Sequence, residues 1–430
     1  MSRLLQQHLL KRRQGVPAGI YAVCSAHPWV IRAAAEQAAQ DGSPLLVEAT
    51  SNQVNKFGGY TGMRPADFRD FVLERVRAAG LDEAKLVLGG DHLGPNPWRT
   101  LPAAEAMAYA ETTVAEYVAA GFTKIHLDAS MACGDDLSHP SDELVARRAA
   151  QLCRAAESAY VAGDRSVYVI GTEVPVPGGA MHSVHDLPPT SQEAASHTLA
   201  VHKRVFEQDV PGVWDRVIAL VVQPGVEFDH NAVVDYDSAK AAQLTDWLRT
   251  QPESIVFEAH STDYQLPRAC AELVRDGFAI LKVGPGVTFA MREALEALET
   301  LEALEDIESQ VIDESERSQM SDAIERTMLR EPDNWQPYYA GTPDQQKLLR
   351  RYSYSDPVRY YWGCPEISNA IDRLMKNLAS VEIPESMLSR YLPAQNQRLR
   401  EQQILVDPES LVLDRIRDVL RAYAAACVNQ

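Results

Sequence analysis

The sequence predicts an α/β protein: a (β/α)8 barrel with a C-terminal helical extension. Three observations carry this. Eight short, apolar, β-branched segments recur between Gly19 and Glu299, amphipathic helical patterns separate them, and every segment ends in polar or ionisable residues. Strand–helix alternation implies parallel βα units, and the span is close to the ~250 residues of such a barrel. A doubly wound open sheet is the competing arrangement of the same alternation.

The expected strands are 20–24, 45–49, 86–88, 124–127, 167–170, 217–222, 255–258 and 279–283. Between them, Phe68-x-x-Phe71-Val72-x-x-x-Val76 has the 3,4 spacing of one buried helix face. Ala33-Ala34-Ala35-x-x-Ala38 and the stretches 107–120, 144–161, 191–206 and 267–275 continue the helical series. Past residue 303 strands stop. Ile371-x-x-Leu374-Met375-x-x-Leu378 and Leu411-x-x-Asp414-x-Ile416-x-x-Val419-Leu420 read as helices, beside an aromatic group that includes Trp335, Tyr339, Tyr360, Tyr361 and Trp362. The three adjacent aromatics at 360–362 are expected to anchor the extension. Leu295, Leu298, Leu301 and Leu304 make one apolar stripe on a surface helix. The expected division is 1–303 for the barrel with its N-terminal helix, and 304–430 for the helical extension.

Composition narrows the function classes. Apolar residues make up 46% and charged residues 23%, the balance of a globular protein that folds around a core. A net charge of −19 repels phosphate backbones, so nucleic acid is not an expected partner. The run Lys11-Arg12-Arg13 reads as the end of an N-terminal helix, where cations suit the macrodipole. No apolar run reaches the ~18 residues of a membrane span, and residues 1–15 lack a signal-peptide core, so a cytoplasmic location is expected. The six cysteines form no C-x-x-C pair and read as free thiols.

In such a barrel the site lies at the C-terminal strand ends. There the sequence places Glu48 with Asn52 and Gly59 beyond it, Asp91-His92, Asp128 with Ser130, Glu173, Gln223, Glu258 with His260, Ser261 and Asp263, and Lys282 with Gly284. His92, Glu258 and His260 are the candidate metal ligands, since imidazole and carboxylate donors suit zinc, manganese or another first-row divalent ion. Asp91 and Glu173 are the candidate catalytic carboxylates, Asp91 as a proton shuttle beside the ion. The bland alternative is that both histidines only hydrogen-bond loops at the rim. Ser261 and the Gly284-Pro285-Gly286 turn, with Gly58-Gly59, are candidates for phosphate contacts through backbone N–H groups, or they only make turns. Glu48, Asn52, Asp128, Ser130, Gln223, Asp263 and Lys282 complete the expected substrate-binding mouth. His182 and His185 read as residues of a proline-rich loop, His126 as a satisfied structural histidine, and His230 as a residue that could reach the mouth. No G-x-x-x-x-G-K-[ST] occurs, and no G-x-G-x-x-G follows the first strand.

The runs GIYAVCSAHPWVI (19–31), LLVEATSNQVNKFGGYTGM (45–63), GGDHLGPNPW (89–98), GTEVPVPGG (171–179), VFEAHSTDYQ (256–265), LKVGPG (281–286), YSYSDPVRYYW (352–362) and IPESMLSRYLP (383–393) strongly resemble the GatZ/KbaZ family. That family is the non-catalytic subunit of class II D-tagatose-1,6-bisphosphate aldolase. The resemblance spans nearly the whole chain and implies a barrel of the class II aldolase type, a divalent cofactor, zinc first with manganese, nickel or cobalt also compatible, and a small sugar phosphate ligand. It implies a catalytic class II aldolase subunit as partner, with homo-oligomers also allowed. Members are sometimes labelled tagatose 6-phosphate kinases, yet nothing here resembles a kinase phosphate loop. Asp91-His92 matches the catalytic Asp and zinc-binding His of the class II enzymes. Glu258-Ala259-His260-Ser261 departs from their His-Gly-Gly-Ser pattern, and Gln223-Pro224-Gly225 stands where they carry a third zinc-binding His. Lys282-Val283-Gly284-Pro285-Gly286 replaces their phosphate-binding turn. These departures leave two expectations open: an accessory subunit that stabilises and activates a catalytic partner, or a metal-dependent ketose aldolase or 4-epimerase acting by retro-aldol steps on its own.

Overall fold

A computed structural model describes residues 2–14, 16–137, 140–173, 187–251, 255–303 and 312–427. These fall into two compact units, one of Met1–Phe228, Ala232–Gly284 and Ala422–Gln430, the other of Asp229–Asn231 and Pro285–Arg421.

The first unit is a closed, all-parallel barrel. Its strands are β1 (Ile20–Val23), β2 (Leu45–Thr50), β3 (Leu86–Leu93), β4 (Lys124–Leu127), β5 (Val167–Ile170), β6 (Val217–Val221), β9 (Val256–Ala259) and β10 (Phe278–Val283), and β10 closes onto β1. The helices between them are α2 (Pro28–Asp41), α3 (Pro65–Ala78), α4 (Ala103–Ala119), α5 (Asp142–Ser158), α6 (Gln192–Asp209), α7 (Ala242–Arg249) and α8 (Pro267–Asp276). The local chemistry explains several boundaries. Ser141 and Ser191 cap α5 and α6 by accepting from Leu144 N and Ala194 N. Proline opens α2, α3 and α8, where its missing N–H costs no hydrogen bond. The short hairpin β7 (Glu227–Phe228) and β8 (Val233–Val234) has no counterpart among the expected strands, because two-residue strands leave no periodic signal.

The strand starts pack as an apolar plug. Ile20, Leu46, Val87, Val167, Ile218, Val256 and Ala279 share one buried cluster with Leu5 and Leu9 of α1 (Ser2–Leu10). The apolar end is therefore sealed, and the interior turns polar toward the strand ends. β3 runs five residues past the expected stop at Leu88, through Gly89-Gly90. Those glycines are not a turn. A Cβ on Gly89 would lie 2.7 Å from Glu48 Cγ, so its absence lets a buried carboxylate occupy the barrel interior.

The second unit is helical: α9 (Pro285–Ala303), α10 (Met320–Arg330), α11 (Pro343–Tyr352), α12 (Pro365–Ala379), α13 (Glu385–Tyr391), α14 (Pro393–Arg400) and most of α15 (Pro408–Cys427). Tyr361 and Trp362 are buried, and the Tyr361 hydroxyl donates to Glu331 O at 2.5 Å. No helix among the described residues is long and apolar enough to cross a membrane.

Candidate functional site

The strand ends of the barrel converge on a buried cluster of ionisable side chains. β4 and its exit supply Lys124, His126 and Asp128, which share one face because side chains alternate along a strand. Ile125 and Leu127 face the other way. Glu48 comes from β2, Asp91 and His92 from β3, Glu258 and His260 from β9 and its exit, and Lys282 from β10. All are at most 5% exposed. Asp91 and His92 both reach the cluster although adjacent in sequence. His92 has φ +47°, and the β3–β4 pairing is irregular between Gly90 and Leu93, so the strand turns both side chains inward. Gly94 lets the two strand exits touch, since a Cβ there would lie 1.6 Å from Asp128 O.

Lys124 Nζ stands 2.7 Å from Glu48 Oε1 and 2.6 Å from Glu258 Oε2. Lys282 Nζ pairs with Glu48 and lies 2.8 Å from Asp91 Oδ1 and 3.7 Å from Glu258 Oε1. His126 Nδ1 is 2.9 Å from Asp91 Oδ1, His92 Nδ1 is 2.8 Å from Asp128 Oδ2, and His260 Nε2 is 3.0 Å from Glu258 Oε1. The three imidazoles crowd together, with ring centroids 4.8 to 5.3 Å apart.

Burial alone would raise Asp91, but His92, Lys282 and His126 outweigh it and hold the carboxyl well below the usual range. Glu258 behaves likewise: burial is overcome by Lys124, Lys282 and His260. Burial pushes the His260 imidazole down to about 3 despite Glu258, so it stays neutral. Burial acts the same way on His92, but Asp91 and Asp128 prevail and raise it. Burial also opposes the Lys282 charge, yet Asp91, Cys24, Glu48 and Glu258 hold the ammonium well above its ordinary value.

The donor set fits a divalent ion. One donor atom each from Asp91, His126, Glu258 and His260 lie within 4.8 Å of one another. His126 Nε2 is buried with no hydrogen-bond partner, while its Nδ1 faces a carboxylate, the arrangement that frees the other ring nitrogen for a metal. The Asp128–His92 pair has the same form, with His92 Nε2 3.7 Å from Asp91 Oδ2. Two imidazoles and two carboxylates suit a first-row divalent ion.

The other expected residues divide into separate groups. Asp128 also accepts from Ser130 N and Oγ, so it orients His92. Glu173 is exposed and accepts from Thr190 Oγ1 at 2.5 Å. Thr190 N in turn donates to Gln223 O, and the Gln223 side chain accepts from Gly225 N and Val226 N. Asn52 and Gly59 are exposed in the loop after β2, and a Cβ on Gly59 would lie 2.4 Å from Gln53 O. Ser261 has φ +53° and is half-buried. Gly284 N donates to Asp263 Oδ1 at 2.9 Å. His182 and His185 lie outside the described residues. His230 belongs to the helical unit, with its ring against Tyr339.

His126 is not the satisfied structural histidine expected, since one ring nitrogen has no partner. Lys124, equally buried, was absent from the expected site. The signal for both was in the sequence: Lys124-x-His126-x-Asp128 alternates with Ile125 and Leu127, placing three polar side chains on the barrel's inner face.

A sealed parallel barrel with a buried carboxylate–imidazole–ammonium cluster at its strand ends defines a (β/α)8 barrel protein with a metal-capable mouth. The chain belongs to the D-tagatose-1,6-bisphosphate aldolase subunit GatZ/KbaZ-like family, whose model matches residues 5–428. It is 45% identical to a crystallised protein of Sinorhizobium meliloti 1021 described as a probable tagatose 6 phosphate kinase; the match covers 95% of this chain and 100% of that one, with a TM-score of 0.86. Fainter likenesses reach a fructose-bisphosphate aldolase of Campylobacter jejuni (13% identity, 84% and 88% of the chains, TM-score 0.43) and the YdjI aldolase of Escherichia coli K12 (10%, 85% and 92%, TM-score 0.39). These two carry no functional weight.

Proposed function

We propose that the chain is an accessory subunit of a class II D-tagatose-1,6-bisphosphate aldolase in cytoplasmic galactitol- and tagatose-type sugar catabolism. It stabilises and activates a catalytic subunit, while its own barrel mouth binds a divalent ion, zinc first, and a small ketose phosphate. Membership of the subunit family supports the partner. The buried cluster of Asp91, His126, Glu258 and His260 supports the ion and is the observation that carries the site. Asp91, His126, Glu258 and His260 would hold the ion, with His92 alongside. A bound divalent ion supplies Lewis-acid polarisation of a carbonyl oxygen. Lys282 keeps Asp91 ionised, so its carboxylate can accept a hydrogen bond from a substrate hydroxyl.

That last feature favours a second reading, in which the chain turns over ketoses itself. Asp91 takes the C4 hydroxyl proton, the C3–C4 bond breaks, and its electron pair passes to the carbonyl. Re-addition to the other face of the rotated aldehyde, with the proton returned, inverts C4.

The test is metal content and product formation. Purified protein should carry one divalent ion per chain, and His126→Ala and His260→Ala should each lose it. Unchanged content in both variants would sink the metal assignment. The chain alone should convert ketose phosphates weakly at most, and adding it to a catalytic class II subunit should raise that subunit's activity and thermal half-life. Robust partner-free turnover, abolished in Asp91→Asn, would establish the second reading in place of the first.

A further inference from the structure

We propose that the Lys282 ammonium fills a second cation position in the barrel mouth, built by Cys24, Glu48 and Asp91, and so limits the site to a single divalent ion. The inference rests on the metal reading above. Two groups of donor atoms share Asp91. One is Asp91, His126, Glu258 and His260; the other is Cys24, Glu48 and Asp91, whose atoms also lie within 4.8 Å of one another. A carboxylate common to two donor sets is the arrangement of two-ion sites, where the ions sit ~3.5–4 Å apart.

Here the second position is already taken. Lys282 is paired with Ala22 in the β1–β10 register, two residues before Cys24. Its Nζ reaches Glu48, Asp91 at 2.8 Å and Glu258 at 3.7 Å. Cys24 Sγ lies 4.0 Å from Asp91 Oδ2. The ammonium is a compact point charge fixed to a barrel strand, so unlike an ion it cannot dissociate.

Charge balance points the same way. Three carboxylates, Glu48, Asp91 and Glu258, face the Lys124 and Lys282 ammonium groups, while Asp128 pairs with His92. With Lys282 in place the three carboxylates are already nearly balanced by the two ammonium groups, so a second divalent ion beside the first would overcharge the cluster. Removing Lys282 leaves the cluster short of positive charge and opens the Cys24 set. A metal bound there would displace the thiol proton, since only the thiolate ligates.

The experiment counts ions and looks for thiolate ligation. Wild-type protein loaded with Zn²⁺ and desalted should hold one ion per chain, and Lys282→Ala should hold two. Adding Cys24→Ser to Lys282→Ala should return the count to one. With Cd²⁺, the Lys282→Ala protein should show an ultraviolet cadmium–thiolate charge-transfer band that Cys24→Ser removes. One ion in wild type and still one in Lys282→Ala would overturn this inference and leave the metal reading standing. No ion in wild type would overturn both. Should Lys282→Ala not fold, the wild-type spectrum decides. A Cys24-dependent cadmium–thiolate band in wild type contradicts an occupied second position, and its absence at one bound Cd²⁺ supports it.

Discussion

Two charge networks in this protein, one fully buried and one partly buried, differ in how completely they are satisfied. In the helical unit, Asp414 and Asp418 of α15 face Gln395, Arg398 and Arg421. Gln395 Nε2 donates to both carboxylates, at 3.0 and 2.9 Å, and both arginines bridge the same pair. That network ties α14 to α15, with the Gln395 amide and both guanidinium groups each donating to both carboxylates. In the barrel mouth, Lys124 Nζ stands between Glu48 and Glu258 without a well-aligned hydrogen bond to either, and His126 Nε2 has no partner at all. Saturated pairs of this kind are structural. A buried donor or acceptor left open costs about 1–3 kcal/mol, which is why the open His126 nitrogen beside three other donor atoms calls for an explanation.

The largest expected effect breaks the mouth. Glu258→Ala removes the acid between two ammonium groups and leaves Lys124, which is 0% exposed, with one carboxylate fewer. Breaking such a buried pair costs about 3–5 kcal/mol, measurable as a fall in the urea midpoint. An unchanged midpoint would mean that the cluster is solvated and not the dry network described.

The second test sharpens what an open nitrogen means. His202 on α6 is buried, its Nδ1 lies 2.9 Å from Thr198 O, and its Nε2 also has no partner, yet it belongs to neither candidate metal group. Burial pushes its imidazole down to about 4. A folded value below the unfolded one stabilises the protein above the unfolded value of about 6.5 and withdraws that stability as pH falls. Wild type should therefore lose about 3 kcal/mol relative to His202→Gln on going from neutral pH to pH 4. Its metal content should match the variant's. Parallel urea midpoints across that pH range would refute the assignment.

The smallest effect belongs to the saturated network. Arg398→Ala should cost about 1–2 kcal/mol, allowing for its partial exposure, with metal content and ketose binding untouched. Calorimetry and metal analysis on one sample check both halves. Loss of bound metal in this variant would erase the distinction between the two networks.

The sequence by itself determined the barrel. Parallel strands buried on both faces need continuous apolar runs, helices packed outside them need one apolar stripe, and both periodicities survive in a one-dimensional reading. It also determined which types of side chain stand at the strand ends, because a barrel brings eight distant segments to one mouth. Asp91, His92, Glu258 and His260 were visible on that ground. The tertiary structure alone decided which of them meet. Glu173 and Gln223 joined a hydrogen-bond network with Thr190, while Lys124 and His126, placed inside a strand rather than past its end, joined the cluster. It also decided that Gly89 makes room for Glu48 and that Gly94 lets two strand exits touch. The physical reason is that hydrophobic periodicity records only which face of an element is dry. Contacts among polar groups depend on strand register, on left-handed residues such as His92 and on missing Cβ atoms, and these are fixed only when the barrel closes.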